Sequence, residues 1–542
     1  MITIPDIYAP HNALGKQPSE NDYLAQYEAA ARGLDAAPND RMLQHRAVLS
    51  LARAGSLDFA FAEYARYDLA QINDNEDIMA LSGRLLKDRY LRQLSKPGGG
   101  DKGTVIAGQS SDAYARAYDA TQGYYSGINA ATMALLGGRP NRYVNGLAAE
   151  ILKNLPLPEA LSPTEHYFIE ATRAECYALL GRTVEAEDSL GAAIAFDPLN
   201  YTAHTATLKQ FRMILSKQED DARWLERYSP PKPVYYAGHI WSLPDAPTKT
   251  PRRLPDDFIA NAETILSDVL QAHDIGFGYG SLAAGADIVI AEALLNEGAE
   301  LHITLPCPVD QFLETSVRPY GKAWEARFQA CYGKARSVRA LTATALGTAA
   351  WPDPYINQLV GRMTMGQAMH SAQQLCVTPA QLLLWNGKMD GSYTSVHARD
   401  WDNTGYARIG AFADIPNDEV RKSETAEPMD NVPVVCWQYG ASAAEHFDDY
   451  VKAVDMCLNA LLEKPKQKFA LDLDDGASAD HKHVNAVFET AIPQGLFVSE
   501  FLANLLAYSH PVELNVIFSG VIKEASGSKY DGASKRFFSV SR

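Results

Sequence analysis

The sequence has no CxxC pair, no excess of basic residues, and no apolar run near the ~20 residues needed to span a bilayer. Its six cysteines, Cys176, Cys307, Cys331, Cys376, Cys436 and Cys457, are scattered. That pattern suits reduced, mostly buried thiols and offers no metal site. Lys and Arg number 49 against 66 Asp and Glu, a formal net charge of −17. The clustered cations that a nucleic-acid backbone requires are therefore not expected. The opening "MITIPDIYAPHNALGKQ" has neither the basic end nor the apolar block of a signal peptide. These absences predict a cytoplasmic chain that binds neither nucleic acid nor membrane, with proteins or small molecules as partners. At 542 residues with 46% apolar content, the length predicts roughly three domains, each able to bury a core.

What is present divides the chain. Residues 1–228 form a first domain, helical from about residue 20 by pattern. In "TEHYFIEATRAECYALLGRTVEAEDSLGAAIAFDPLN", the residues Tyr177, Gly181, Ala186, Leu190, Ala193 and Pro198 fall at the spacing of a tetratricopeptide helix–turn–helix, which the segment resembles. An earlier copy places Leu51, Gly55, Ala60 and Tyr64 at the same first steps, with generic helical hairpins as the alternative. "YYSGINAATMALLGG", with Gly127, Ile128, Asn129 and Ala130, resembles the TRAFs-binding region of apoptosis signal-regulating kinases. That resemblance implies protein partners for the helices. "SKPGGGDKGT", residues 95–104, is similar to the phosphate-binding turn of lysine-decarboxylase-like nucleotide hydrolases. Helical sequence on both sides, with no glutamate following, makes it a loop instead.

The proline-rich stretch from Ser229 marks a boundary. Strand-like and helix-like runs then alternate over 229–415, which predicts an open, mostly parallel sheet covered on both faces. In "HDIGFGYGSLAAGADIVIAEALLNEGAELHITLP", a strand ending near Phe277 and a helix beginning near Ser281 would set Gly278 and Gly280 in a turn at the carboxyl edge of the sheet. Glycines there admit positive φ and close approach, first-turn amides attract an anion, and Gly285 would sit inside the helix. Spacing alone leaves both a ligand cradle and a purely structural turn open.

The stretch resembles the core of the SLOG family, which includes the DNA-processing protein of natural transformation. Ser281, Ala283, Gly285, Asp287, Ala291 and Leu294 occupy the matching places. Gly238 and His239 after the first strand, and "WNGKMDGSYTSVHARDW" near the last, suit the family as well. The resemblance implies a Rossmann-like fold binding a nucleotide or nucleotide-derived ligand. Its expected contacts are Gly238, His239, Gly278, Gly280, Ser281, Gly285, Asp287, Gly387, Gly391, Ser392 and Thr394. Hydrolytic members use a glutamate just after a PGGxGT turn, and the corresponding segment here has none. Binding without catalysis is the expectation. A nucleotide N-glycosidic hydrolase with Asp287 or Asp400 as its acid, and a scaffold without ligand, are the alternatives.

Residues 416–431 read as a linker and 432–542 as a small α+β domain. "HVNAVFETAIPQGLFVSEFLANLLA" resembles class III nucleotide cyclases at Asn485, Pro493, Gly495, Val498, Ser499, Glu500, Phe501 and Leu505. Glu489 stands where that family has an arginine, and Gln438 where a metal aspartate is needed. The resemblance implies a decayed cyclase kept for packing or for a homodimer. The expected fold class is thus multidomain: all-α helical repeats, an α/β Rossmann-like domain and a degenerate cyclase-like domain. No cofactor is certain, and a nucleotide-type ligand is the one small molecule expected.

Overall fold

The computed structural model describes residues 23–53, 56–94, 99–156, 162–243, 245–246, 258–340, 353–385, 387–389 and 392–410, and five strands beyond them. Two compact units divide at Pro230 and Pro231.

The first unit is built of helices: α1 (Tyr23–Ala36), α2 (Arg41–Arg53), α3 (Leu57–Arg66), α4 (Glu76–Leu94), α5 (Gly100–Thr121), α6 (Tyr124–Leu136), α7 (Asn141–Asn154), α8 (Pro163–Leu179), α9 (Thr183–Phe196) and α10 (Tyr201–Gln218). Successive helices from α1 to α9 pack against one another, and α6, α8 and α10 also touch one another, with α4 against α6 and tied to α10 through Lys87 and Gln210, forming one layer. Local sequence sets the ends. Gly138 and Gly181 take φ of +71° and close α6 and α8. Ser162 and Glu165 form a reciprocal capping box with Pro163 at the first helical position of α8. Tetratricopeptide positions Leu51, Ala60, Ala186, Leu190 and Ala193 are buried, while Gly55 lies outside the described residues. Of the expected 95–104 loop, Gly100–Thr104 instead forms the start of α5, and residues 95–98 lie outside the described residues.

The second unit holds β1 (Lys232–Gly238), α11 (Phe258–Ala272), β2 (Ile275–Gly280), α12 (Ala286–Asn296), β3 (Glu300–Leu305), α13 (Val309–Ser316), α14 (Lys322–Lys334), β4 (Ser337–Ala340), α15 (Asp353–Leu375), β5 (Ala380–Leu384), α16 (Tyr393–Asp402) and β6 (Arg408–Gly410). All six strands are parallel, in the order β4-β3-β2-β1-β5-β6. Alternation within β1 serves both faces: Val234 and Tyr236 join the core under α11, α12 and α14, whereas Tyr235 packs with Met365, Ala368 and Trp401 of α15 and α16. Among the described residues Cys176, Cys307 and Cys331 are buried and Cys376 is exposed. No described helix is long and apolar enough to cross a membrane.

The remaining strands, β7 (Val434–Gly440), β8 (Leu471–Asp474), β9 (His481–Val487), β10 (Glu513–Ser519) and β11 (Lys535–Ser541), form an antiparallel sheet ordered β11-β10-β7-β9-β8. Asn485 stands opposite Cys436 and Asp472 in that ladder, and Gln438 opposite His483. The 416–431 linker, Glu489 and the 493–505 motif lie outside the described residues.

Candidate functional site

The strand order reverses between β1 and β5, so the crevice where parallel sheets receive ligands lies above those two strands. Gly238 and His239 end β1 there, and the segment after β5 leads into α16 beside them. His239 is 5% exposed. Its amide donates to Leu384 O (3.2 Å) and its carbonyl accepts from Ala286 N (3.0 Å). Thr394 Oγ1 donates to Gly238 O (2.9 Å), which anchors the start of α16 to the end of β1. Ser392 caps α16, accepting from Ser395 N (3.3 Å). Gly387 is exposed, with φ +72° and open space where a Cβ would stand. Gly391 lies outside the described residues.

The glycines of the central motif differ from expectation. β2 runs to Gly280, so Gly278 and Gly280 are strand residues, not turn residues. A Cβ on Gly278 would lie 2.4 Å from Leu294, and one on Gly280 2.3 Å from the Tyr236 ring. The Tyr236 hydroxyl goes on to donate to Ser281 O (2.9 Å). These two glycines therefore admit α12 and a β1 aromatic on the sheet. Gly238 is filled on the same principle, its Cβ position being 2.2 Å from Ala286 Cβ and 2.5 Å from Leu384 O.

Gly285 is not inside the helix; it precedes α12 with φ +106° and ψ −126°. Only glycine adopts this backbone readily, and a Cβ would meet Trp241 N at 2.5 Å and His239 O at 2.7 Å. The reason is a short antiparallel bridge between Ile240 and Gly285, fastened by Trp241 N to Ala284 O (3.2 Å) and Ala286 N to His239 O.

The turn supplies its own partners. Ala284 N donates to Ser316 O (2.9 Å), and Ala283 N to Asp287 Oδ2 (3.3 Å). Asp287, in the first turn of α12 and 8% exposed, is thus the hydrogen-bond acceptor at that helix start. Burial pushes its carboxyl up to about 7, and the amides of Ala283 and Gly238 pull it back part of the way. Ser281 Oγ is sealed from solvent without a hydrogen-bond partner among the described residues.

Asp400 is engaged elsewhere. It accepts from Arg362 Nε at 2.7 Å, the two side chains being 11% and 4% exposed. Nearby Tyr235 Oη and His397 Nδ1 are 2.8 Å apart, and burial draws the imidazole down to about 4. This cluster lies on the α15–α16 face of the sheet and fastens both helices to β1. The sequence signal for it was a histidine and an aspartate three residues apart, which spacing alone assigns to nothing.

Residues 23–134, α1 to near the end of α6, match the family model Tetratricopeptide Repeats-Sensor. A search of the curated proteins finds no match. The matched segment covers the first six helices, so the helical unit is similar to a tetratricopeptide-type sensor module over that length.

Proposed function

We propose that the chain is a non-catalytic signalling protein whose helical unit holds a protein partner and whose parallel-sheet unit receives a nucleotide-type ligand above β1 and β5. The observation that carries the ligand reading is the reversal of strand order, which sets Gly238–His239, the exposed Gly387 and the capped start of α16 at one edge. Because Asp287 and neighbouring carbonyls take the amides before α12, the ligand's place is on the α16 side of that edge. His239 and the 387–394 segment are its contacts, and the Ser281 hydroxyl is a further donor. Gly238, Gly278, Gly280 and Gly285 then shape the floor through packing, and Asp287 holds the wall. The tetratricopeptide match supports the interaction role of the helices. The SLOG and cyclase resemblances remain part of this proposal, with residues 432–542 as a self-association module. Binding at the sheet edge would favour one arrangement of the chain and so change what the helices hold.

The test is isothermal titration of the full chain with nucleoside phosphates, ADP-ribose and cyclic nucleotides, repeated on His239→Ala. Saturable binding weakened at least about tenfold by the substitution supports the reading. A folded chain silent to the whole panel leaves a scaffold. Release of free base during incubation would instead make the chain a hydrolase.

A further inference from the structure

The layer formed by α4, α6, α8 and α10 carries a group of charged and polar side chains that meet between its helices. Lys87 Nζ donates to Asn129 Oδ1 (2.8 Å) and to Gln210 Oε1. The Gln210 amide donates to Glu175 Oε2 (3.0 Å) and Thr132 Oγ1 (3.2 Å). The Lys87 ammonium and the Glu175 carboxylate are therefore bridged by a neutral side chain. Burial pulls the Lys87 ammonium below its ordinary range and pushes the Glu175 carboxyl above its own.

One turn earlier on α4, Arg84 meets Asp88 through Nε alone, at 3.0 and 3.1 Å. Its terminal Nη groups have no hydrogen-bond partner among the described residues, and its side chain is 32% exposed. Beside it the Tyr114 hydroxyl is sealed from solvent and turned to the Tyr125 phenol. The Tyr114 ring lies against Gly83, where a Cβ would stand 2.6 Å away, and it meets Tyr125, 39% exposed, edge-on at 6.2 Å. Two guanidinium amino groups and the third ammonium proton of Lys87 are thus left as donors one turn apart on α4, while the nearby carboxylates already have partners. A tetrahedral oxyanion matches such a set, because it accepts from several directions and the Arg fork grips two of its oxygens.

We propose that Arg84 and Lys87 form an oxyanion site on the helical unit that takes the phosphate group of a small molecule, separate from the sheet-edge crevice. The half-exposed Tyr125 ring borders it and offers a face for an attached apolar or aromatic group. The site sits within the segment that matches the sensor family, and it gives that segment a ligand of its own.

The test titrates inorganic pyrophosphate into the full chain at low salt, with circular dichroism to verify folding. The expected result is saturable binding, weakened at least about tenfold in Arg84→Gln, less in Arg84→Lys, and unchanged in Arg182→Gln, an exposed arginine elsewhere on the helical unit. No saturable binding to the folded wild type overturns the proposal, and so does equal binding to Arg84→Gln. Loss in His239→Ala with retention in Arg84→Gln moves the phosphate to the sheet edge and also overturns it. Should a peptide with a free terminal carboxylate bind and pyrophosphate not, the helices read a protein terminus and the small-molecule proposal fails.

Discussion

Single residues decide the edge of the sheet, and glycine is the most demanding of them. Gly238→Ala forces a methyl group between Ala286 Cβ and the Leu384 carbonyl, and overpacking of this kind costs at least ~2 kcal/mol. Gly387→Ala meets nothing within 4 Å and adds only the positive-φ penalty, about 1 kcal/mol. Chemical denaturation should therefore separate the two by ~1 kcal/mol or more. Asp287 supplies a pH signature. Its carboxyl titrates near 7 in the folded chain against about 4 unfolded, so the folded state binds the extra proton between those values. Its contribution to stability is fully present below about pH 4 and is lost as pH rises through about 7. His397 acts in the opposite sense: its folded value near 4 lies below the unfolded 6.5, so stability increases with pH over that window. Asp287→Asn should leave the histidine trend alone, giving a chain whose melting temperature climbs more steeply from pH 4 to 7 than wild type. Parallel profiles would show that Asp287 is not buried as described.

At the scale of elements, helix ends are fixed by residues far apart in sequence. Glu76, at the start of α4, accepts from Ser126 N (2.9 Å) and Ser126 Oγ (2.7 Å) at the start of α6. Its carboxylate occupies the place where a side chain on Gly123 would stand. Glu76→Ala removes a charge-assisted cap worth ~1–2 kcal/mol, and hydrogen exchange should then rise first in the opening turn of α6. Tyr235→Phe removes the phenol that holds His397, at about 1 kcal/mol, with faster exchange in α16 as the expected readout.

These elements also mark what sequence could and could not convey. The strand runs "PVYYAG" and "AQLLL" were legible because parallel strands buried on both faces are apolar almost throughout, and "ELHITL" because polar and apolar residues alternate along it. The glycines of β2 were misplaced because glycine marks a turn and a close packing contact by the same letter. Only the Tyr236 ring and the Leu294 side chain, brought in from β1 and α12, distinguish the two. Gly285 was placed within a helix because periodicity continues through it; the bridge to Ile240 that stops the helix is a tertiary contact. The Lys87–Gln210–Glu175 path was invisible for the same reason, its members lying on three helices spread over more than a hundred residues.

For the whole molecule, the two units pose separate questions. The helical unit owes its order to packed layers and to buried polar ties, so Gln210→Leu, which takes the hydrogen bond from buried Glu175 and leaves Lys87 held by Asn129 alone, should lower its stability by ~2 kcal/mol. A thermal melt of the full chain would show that loss in one transition only, if the units unfold independently. The sheet unit owes its proposed role to one topological fact, the reversal between β1 and β5. The central claim is that a nucleotide-type ligand enters there, next to His239. The most direct measurement is hydrogen exchange on the full chain with and without the nucleotide that titration identifies as binding. Protection should concentrate on residues 237–240 and 387–396 and vanish in His239→Ala. Binding that leaves both segments unprotected, or a folded chain that binds none of the nucleotides, would contradict it.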